Sequence, residues 1–225
     1  MADVHDGRLV IGTRRYSSWS LRGWLAVRLA GLNVVDQVLP LRGGGQTFEL
    51  REISPNGLVP YLEHKEARIW ESLAICEYCA EISPALWPEN RLARAWARSI
   101  SAQMHGGFPA LRQALPMNLG RRMRPRADGL SEDVQADIAA LLDVWERTLD
   151  AFSGQGPYLF GPEMGIADAM FAPIATRFYS YGVELTDATQ AYSNAVRAHP
   201  LMKEWARLAE AEPQAWQLER YESLS

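Results

Sequence analysis

Cysteine is scarce in this chain, with two in 225 residues. A single pair cannot staple a chain of this size, so a disulfide framework is excluded and a reduced, cytoplasmic setting is expected. An excess of one charge sign is lacking too. Lys and Arg number 23 and Asp and Glu 27, for a net charge of −4. That balance gives no general attraction to nucleic acid or to an anionic membrane, and neither is expected as a partner. No apolar run approaches the ~18 residues of a membrane-spanning helix. The opening MADVHDGRLV lacks the basic stretch and apolar core of a secretory signal. No internal repeat is visible. What is present is ordinary globular composition, 48% hydrophobic and 22% charged, enriched by eight tryptophans. Tryptophan at that level means extensive aromatic packing or an apolar binding surface. The length accommodates one large domain or two small ones.

The first third alternates strand and helix. Leu9 to Thr13 is β-prone. Ser17-Ser18-Trp19-Ser20 then precedes Leu21, Trp24, Leu25, Val27 and Leu29 at mostly helical spacing, closed by Gly31. Asn33 to Leu39 reads as a second strand, Arg42 to Gly45 as a glycine-rich loop, and Gln46 to Ile53 as a short helix. After the turn Ser54-Pro55-Asn56-Gly57 comes a strand around Val59 to Leu62. The turn Glu63-His64-Lys65-Glu66 folds it back onto Ala67 to Trp70, and Ser72 opens a helix through Ile82. The order β-α-β-α-β-β-α predicts a sheet with a parallel part and an antiparallel hairpin. Beyond Ser83-Pro84 the strand signal vanishes. Residues 84–90 read as a linker between a domain at 1–83 and an all-helical domain at 91–225. Arg91 to Leu115 is helical but interrupted at Gly106-Gly107 and Pro109. Glu132 to Phe152 is amphipathic, with Val134, Ile138, Leu141, Trp145 and Leu149 on one side. Further helices are expected over 166–181, 187–198 and 200–211.

Three features of the first domain fit one ligand chemistry. Ser17, Ser18 and Trp19 stand where a strand passes into a helix, the place at which orphan amides and the positive end of the dipole favour an anion. Leu58-Val59-Pro60 opens a strand, where a cis-proline would expose the preceding backbone to an extended peptide ligand. Glu71-Ser72 precedes a helix, so the hydroxyl and helix amides suit a carboxylate and Glu71 an ammonium. Each feature also has a plain structural use, as a cap or a strand start. Together they describe a site for a small zwitterionic peptide bearing a thiol.

These residues resemble the cytosolic glutathione transferase superfamily, and among its serine-type members the zeta class. RRYSSWSLRGWLAVRLAGL resembles the active-site strand–helix segment, SPNGLVPYL the cis-proline strand, and IWESLAICEYCAE the segment binding the γ-glutamyl end of glutathione. In the second domain RSISAQMHGGFPAL resembles the bent first helix, and GIADAMFAPIATRF the buried capping segment of the helical core. The resemblance implies a thioredoxin-like α/β N-terminal domain, an all-α C-terminal domain, a homodimer, and glutathione as co-substrate with no metal. It implies that Ser17, with Ser18 as the alternative one residue on, bonds the glutathione thiolate. Trp19, Gln46, Leu58, Val59, Pro60, Glu71 and Ser72 would surround glutathione. Met104, His105, Phe108, Arg177 and Tyr179 would line the second-substrate site. Where the zeta pattern has a cysteine this chain has Trp19, which removes a thiol and adds an indole. A free thiol of pKa about 8.5 needs to fall by about two to be mainly thiolate at neutral pH, some 2.7 kcal/mol of differential stabilisation. The implied activity is thiolate attack on a small electrophile. A glutathione-dependent cis–trans isomerase and a non-catalytic interaction protein of the same fold are the alternatives. Retention of Ser17, Glu71 and Ser72 argues against the latter.

Other motifs read as structural. Cys76 and Cys79 form a CxxC, but inside the third helix, away from the helix start that activates a redox cysteine. No second ligand pair stands at zinc spacing. Asp168 reads as half of a capping box whose Ser or Thr is replaced by Gly165. Arg121, Arg122, Arg124 and Arg126 read as a solvated loop, with a lid over the second substrate as the sharper alternative.

Overall fold

The structure is a computed structural model, and it describes residues 5–42, 47–121, 123–125, 129–154 and 156–223. The first part holds β1 (Gly7–Gly12), α1 (Ser18–Leu29), β2 (Val35–Leu39), a 3₁₀ turn (Phe48–Glu52), β3 (Tyr61–His64), β4 (Ala67–Trp70) and α2 (Ser72–Ile82). The sheet order is β2-β1-β3-β4. β1 runs parallel to β2 and antiparallel to β3, and β3 pairs antiparallel with β4, Tyr61 facing Trp70. The parallel crossover and the antiparallel hairpin are both present, but the hairpin turn is Lys65-Glu66 alone, because Glu63 and His64 stay in the ladder opposite Arg68 and Ala67. β3 starts at Tyr61 rather than Val59, because Pro60 has no N–H to give to the ladder.

α1 is buried nearly all round, since it lies between the sheet and the helical part. Leu21, Trp24, Leu25 and Val27 are fully buried. Each such side chain contributes roughly 1.5–3 kcal/mol. Gly23 is where α1 passes closest to the strand, and a Cβ there would meet Pro60 Cγ at 2.9 Å.

After a 3₁₀ turn at Pro84–Leu86 the chain is helical: α3 (Arg91–Gly106), α4 (Pro109–Ala114), α5 (Glu132–Phe152), α6 (Ile166–Tyr181), α7 (Asp187–Ala198), α8 (Pro200–Glu210), a 3₁₀ turn (Gln214–Trp216) and α9 (Glu219–Glu222). The expected interruption is a full break. Gly107 caps α3, Phe108 takes φ 57, and Pro109 opens α4. α6 is the axis of this part, with every residue buried except Tyr179. The Trp145 ring from α5 packs edge-on against Phe171, Phe178 and Tyr192 at 6.1, 5.4 and 4.8 Å. Asp168 accepts the N–H groups of Leu159 and Gly165 at 3.1 and 2.9 Å, the structural role expected of it.

The two parts share one hydrophobic core. Polar links bind the loop ahead of α1 to the helical part. Trp205 Nε1 donates to Arg14 O at 3.1 Å, and the Glu212 carboxylate accepts the Arg14 and Arg15 N–H groups at 2.7 and 3.3 Å. The final turns at Gln214–Trp216 and Glu219–Glu222 were not foreseen. They lie back over this loop. Leu218 N–H donates to Tyr16 Oη, whose own proton goes to Glu222, and Arg15 grips the same carboxylate at 2.8 and 2.9 Å. No helix among the described residues is long and apolar enough to cross a membrane.

Candidate active site

A cavity of about 560 Å³ opens at the start of α1, between the sheet end and the helical part. Its lining brings together Ser17, Ser18 and Trp19 from α1, Leu58, Val59 and Pro60 ahead of β3, and Glu71 and Ser72 at the start of α2. The opposite wall carries His105, Arg112 and Arg177. Sequence reasoning thus placed most of the lining from the first domain. Gln46 lies outside the described residues.

Each first-domain group is held in a way that follows from its local sequence. Ser17 is the N-cap of α1, with Oγ accepting the Ser20 N–H at 3.3 Å and donating to Ser20 Oγ at 2.8 Å. Ser20 Oγ also accepts the Gly12 N–H at 3.0 Å, which joins the end of β1 to the helix. Ser18 Oγ accepts from Arg177 Nη2 at 3.2 Å. Val59 precedes the strand ladder, so its backbone N–H and C=O remain available, and the Val59–Pro60 peptide is cis. Glu71 takes φ 70 at the N-cap of α2, where one carboxylate oxygen accepts from Asn56 Nδ2 at 3.1 Å. Its other oxygen stands 3.7 Å from His105 Nε2. Ser72 is fully buried, and its Oγ has no hydrogen-bond partner among the described residues. A buried orphan hydroxyl at a helix N-terminus is a vacancy for an acceptor.

The second wall departs from expectation. Met104 is wholly buried and Phe108 nearly so, both within the hydrophobic core, and neither lines the cavity. Tyr179 faces outward under the Arg197 guanidinium, 3.4 Å from the ring centre, and does not line it either. Apolar residues beside a site fall by default into the core, and Met104 and Phe108 did. Arg112, which sequence reasoning missed, takes their place. Its guanidinium lies 5.3 Å from the Trp19 ring centre, with Arg22 over the same ring at 4.5 Å. His105 meets that indole edge-on at 5.2 Å. The only sequence signal was that Arg112 is the one charged residue of the short helix after the break. Leu218 and Tyr221 from the last turns also reach the cavity.

Three guanidinium groups therefore surround Trp19 and Ser18. Arg22 is fully buried. Its Nε donates to Met170 O at 2.9 Å, and its two terminal nitrogens have no partner among the described residues. Burial, with Arg177 and Arg112 nearby, pulls Arg22 down to about 9. Arg177 is held by Leu115 O at 2.8 Å, and burial with Arg112 beside it brings it to about 10. Both stay charged at neutral pH. Glu71 is the one acidic side chain among the described lining residues, and it faces His105 from the first-domain side. The inner wall is thus short of negative charge, and buried charge without compensation is costly. An anion bound there relieves it.

Cys76 and Cys79 are buried, and burial pushes both thiols up, Cys79 to about 12. They are packing residues, as their place inside α2 implied. No group of three or more His, Cys, Asp or Glu among the described residues could hold a metal ion. Of the arginine loop, Arg122 and Arg126 lie outside the described residues. Arg121 stacks on the Tyr181 ring at 4.4 Å, and the Arg124 N–H donates to Ser180 O.

Two family models match this chain. Residues 16–82 match the glutathione S-transferase N-terminal domain, and residues 124–210 match the glutathione S-transferase C-terminal domain. The chain belongs to the glutathione S-transferase family. Its four-stranded mixed sheet is the thioredoxin-like half of that fold, and the helices after residue 84 are the all-α half. Among relatives of this chain, the maleylacetoacetate isomerase of Rattus norvegicus is 28% identical over 81% of this chain and 84% of its own. Glutathione S-transferase L3 of Arabidopsis thaliana is 26% identical over 81% of this chain and 72% of its own. A Burkholderia glutathione transferase homologue solved with bound glutathione superposes with a TM-score of 0.69, at 23% identity over 92% of this chain and 99% of that one. A maleyl pyruvate isomerase of the zeta class superposes at 0.68, with 22% identity over the same shares.

Proposed function

We propose that this transferase binds glutathione in the cavity at the start of α1 and directs its thiolate at a small electrophile bearing a carboxylate. The observation that carries the reading is the two-sided lining. One side offers Val59 backbone, Glu71, and the orphan Ser72 hydroxyl at the α2 N-terminus. The other offers Arg112 and Arg177, neither in an ion pair among the described residues, with Asp137 the carboxylate whose charge Arg112 feels. Val59 pairs with the cysteinyl backbone of glutathione, and Glu71 and Ser72 take its γ-glutamyl ammonium and carboxylate. The serines at α1 then stand next to the sulfur. The partly buried Arg112, stacked on Trp19, holds the substrate carboxylate over the indole.

The sulfur–carbon bond forms as the substrate double bond becomes an enolate, whose charge faces the arginine wall. Proton capture at carbon completes a conjugate. Rotation about the new single bond, followed by loss of the thiolate, instead yields the trans isomer. Likeness to maleylacetoacetate isomerase favours the second outcome, and the acidic-substrate wall serves either. A homodimer in the cytoplasm is the proposed working state.

Incubating the protein with glutathione and a cis-configured unsaturated diacid, beside its neutral diester, tests the reading, with products followed by NMR. A thioether adduct marks conjugation, and a trans product with glutathione recovered marks isomerisation. Arg112→Met is expected to lower kcat/KM for the diacid by about 10–100-fold, the value of a charge-assisted hydrogen bond, and for the diester by much less. Equal losses on both substrates would remove the assignment of an acidic substrate.

A further inference from the structure

Three charged or titratable side chains converge on Trp19. The Arg22 guanidinium lies 4.5 Å from its ring centre and that of Arg112 5.3 Å, while His105 meets the ring edge-on at 5.2 Å. The ring itself has little freedom. It is half-buried in the first turn of α1, three residues before Arg22 on the same helix. Arg22 in turn is fully buried and tied to Met170 O at 2.9 Å. Arg112 is held far less. It is carried on the six-residue α4, and its hydrogen bond among the described residues runs from Nη1 to His105 O at 3.2 Å. Asp137 is near enough for its charge to be felt, but its Oδ2 accepts the Leu111 N–H at 3.0 Å. A guanidinium placed beside two other cations is pushed toward solvent, and its long stem lets it go there. The negative face of the indole opposes that. A ring can receive two guanidinium groups without adding a charge of its own, where a carboxylate would cancel the wall.

We propose that Trp19 is the positioning residue that keeps Arg112 inside the cavity, and that the preference of the site for an acidic electrophile depends on this ring. The proposal rests on the reading that Arg112 holds the substrate carboxylate. Without the ring, Arg112 retains only its bond to His105 O and turns to solvent. The substrate carboxylate then loses its partner although no charge has been removed from the protein. Trp19 thus sets specificity through Arg112, and Arg22 fixes the ring from the same helix.

The test is the ratio of kcat/KM for the cis-configured unsaturated diacid to that for its neutral diester. It is measured in wild type, Trp19→Phe, Trp19→Leu, Trp19→Met, Arg112→Met and the Trp19→Leu/Arg112→Met double variant. The ratio cancels any loss common to both substrates, including weaker glutathione binding or a looser fold. Trp19→Leu should lower it by about 3–30-fold, the value of a cation–π contact. Trp19→Phe keeps a ring face and should stay nearer to wild type. The double variant should fall no further than Arg112→Met alone, because the ring acts through the guanidinium. A ratio in Trp19→Leu at or above the wild-type value, with Arg112→Met lowering it, overturns the proposal. Equal losses in Trp19→Phe and Trp19→Leu overturn it too, since they would mark simple packing. Additive losses in the double variant overturn the action through Arg112. Trp19→Met, also without a ring, makes the same comparison if Trp19→Leu does not fold. No turnover of the diacid by wild type, or an unchanged ratio in Arg112→Met, defeats instead the reading on which the proposal rests.

Discussion

Asp168→Ala is expected to lower the Tm by about 10 °C, measured by circular dichroism at neutral pH. The carboxylate is 1% exposed and holds two buried backbone donors, the N–H groups of Leu159 and Gly165. Alanine leaves both unpaired inside the helical core, at roughly 1–3 kcal/mol each. In a chain of this length each kcal/mol is worth about 2–4 °C. Asparagine keeps one acceptor and should cost less. Its cost should also depend on pH. Burial pushes the Asp168 carboxyl up from 3.8 to about 6, against the two backbone bonds that pull it down. Between those values the folded chain holds a proton that the unfolded chain has released. The stability from that proton is therefore complete below about pH 4 and is lost as the pH rises through 6. Asp168→Asn does not titrate, so its cost relative to wild type should be largest in acid and smallest at neutral pH. A difference that is flat with pH would show an ordinary carboxylate.

Asp168 was legible because its role is local. An Asp three residues after Gly165 at the start of an apolar helix is the carboxylate half of a capping box whose other half the family resemblance supplies. The same is true of α5, whose bounds Glu132–Phe152 were read from the 3.6-residue period, and of the hairpin joining β3 to β4. The first-domain wall was legible for a related reason. Ser17-Ser18, Val59-Pro60 and Glu71-Ser72 each sit at the end of an element, where the sequence marks both the turn and the chemistry.

The second wall was not legible. The period of α3 shows that Met104 and His105 lie near the break, but only the crossing of helices decides which of them faces the core. Met104 is wholly buried in it, whereas His105 lines the cavity. Phe108 takes a left-handed φ at the N-cap of α4 with its side chain in the core, and the redirected α4 then carries Arg112 over Trp19. The last turns escaped because Leu218, Tyr221 and Glu222 find the partners that dock them across more than a hundred residues, on Tyr16, Asn118 and Arg15. The two serines show the limit most closely. The resemblance implies Ser17 as the thiolate donor with Ser18 as the alternative, while among the described residues the Ser17 proton goes to Ser20 Oγ and Ser18 accepts from Arg177.

Glu71→Gln is expected to weaken glutathione binding by about 10–100-fold, measured by calorimetry, with the melting temperature nearly unchanged. The carboxylate is anchored on one oxygen by Asn56 at 3.1 Å, and its other oxygen, 3.7 Å from His105 Nε2, is the one that receives the γ-glutamyl ammonium in the proposed reading. Glutamine keeps the shape and the strain but not the charge. A φ of 70 is adverse for any residue with a Cβ, by roughly 1–2 kcal/mol, and favourable for glycine. Glu71→Gly should therefore melt about 2–4 °C above Glu71→Ala, although both lack the carboxylate and both should bind glutathione equally poorly. The side chain that binds is then the one the backbone would rather not carry, which is the pattern expected where strain is held at a functional position. Wild-type affinity in Glu71→Gln would remove Glu71 from the site. Equal melting of the alanine and glycine variants would show that no strain is stored at this turn.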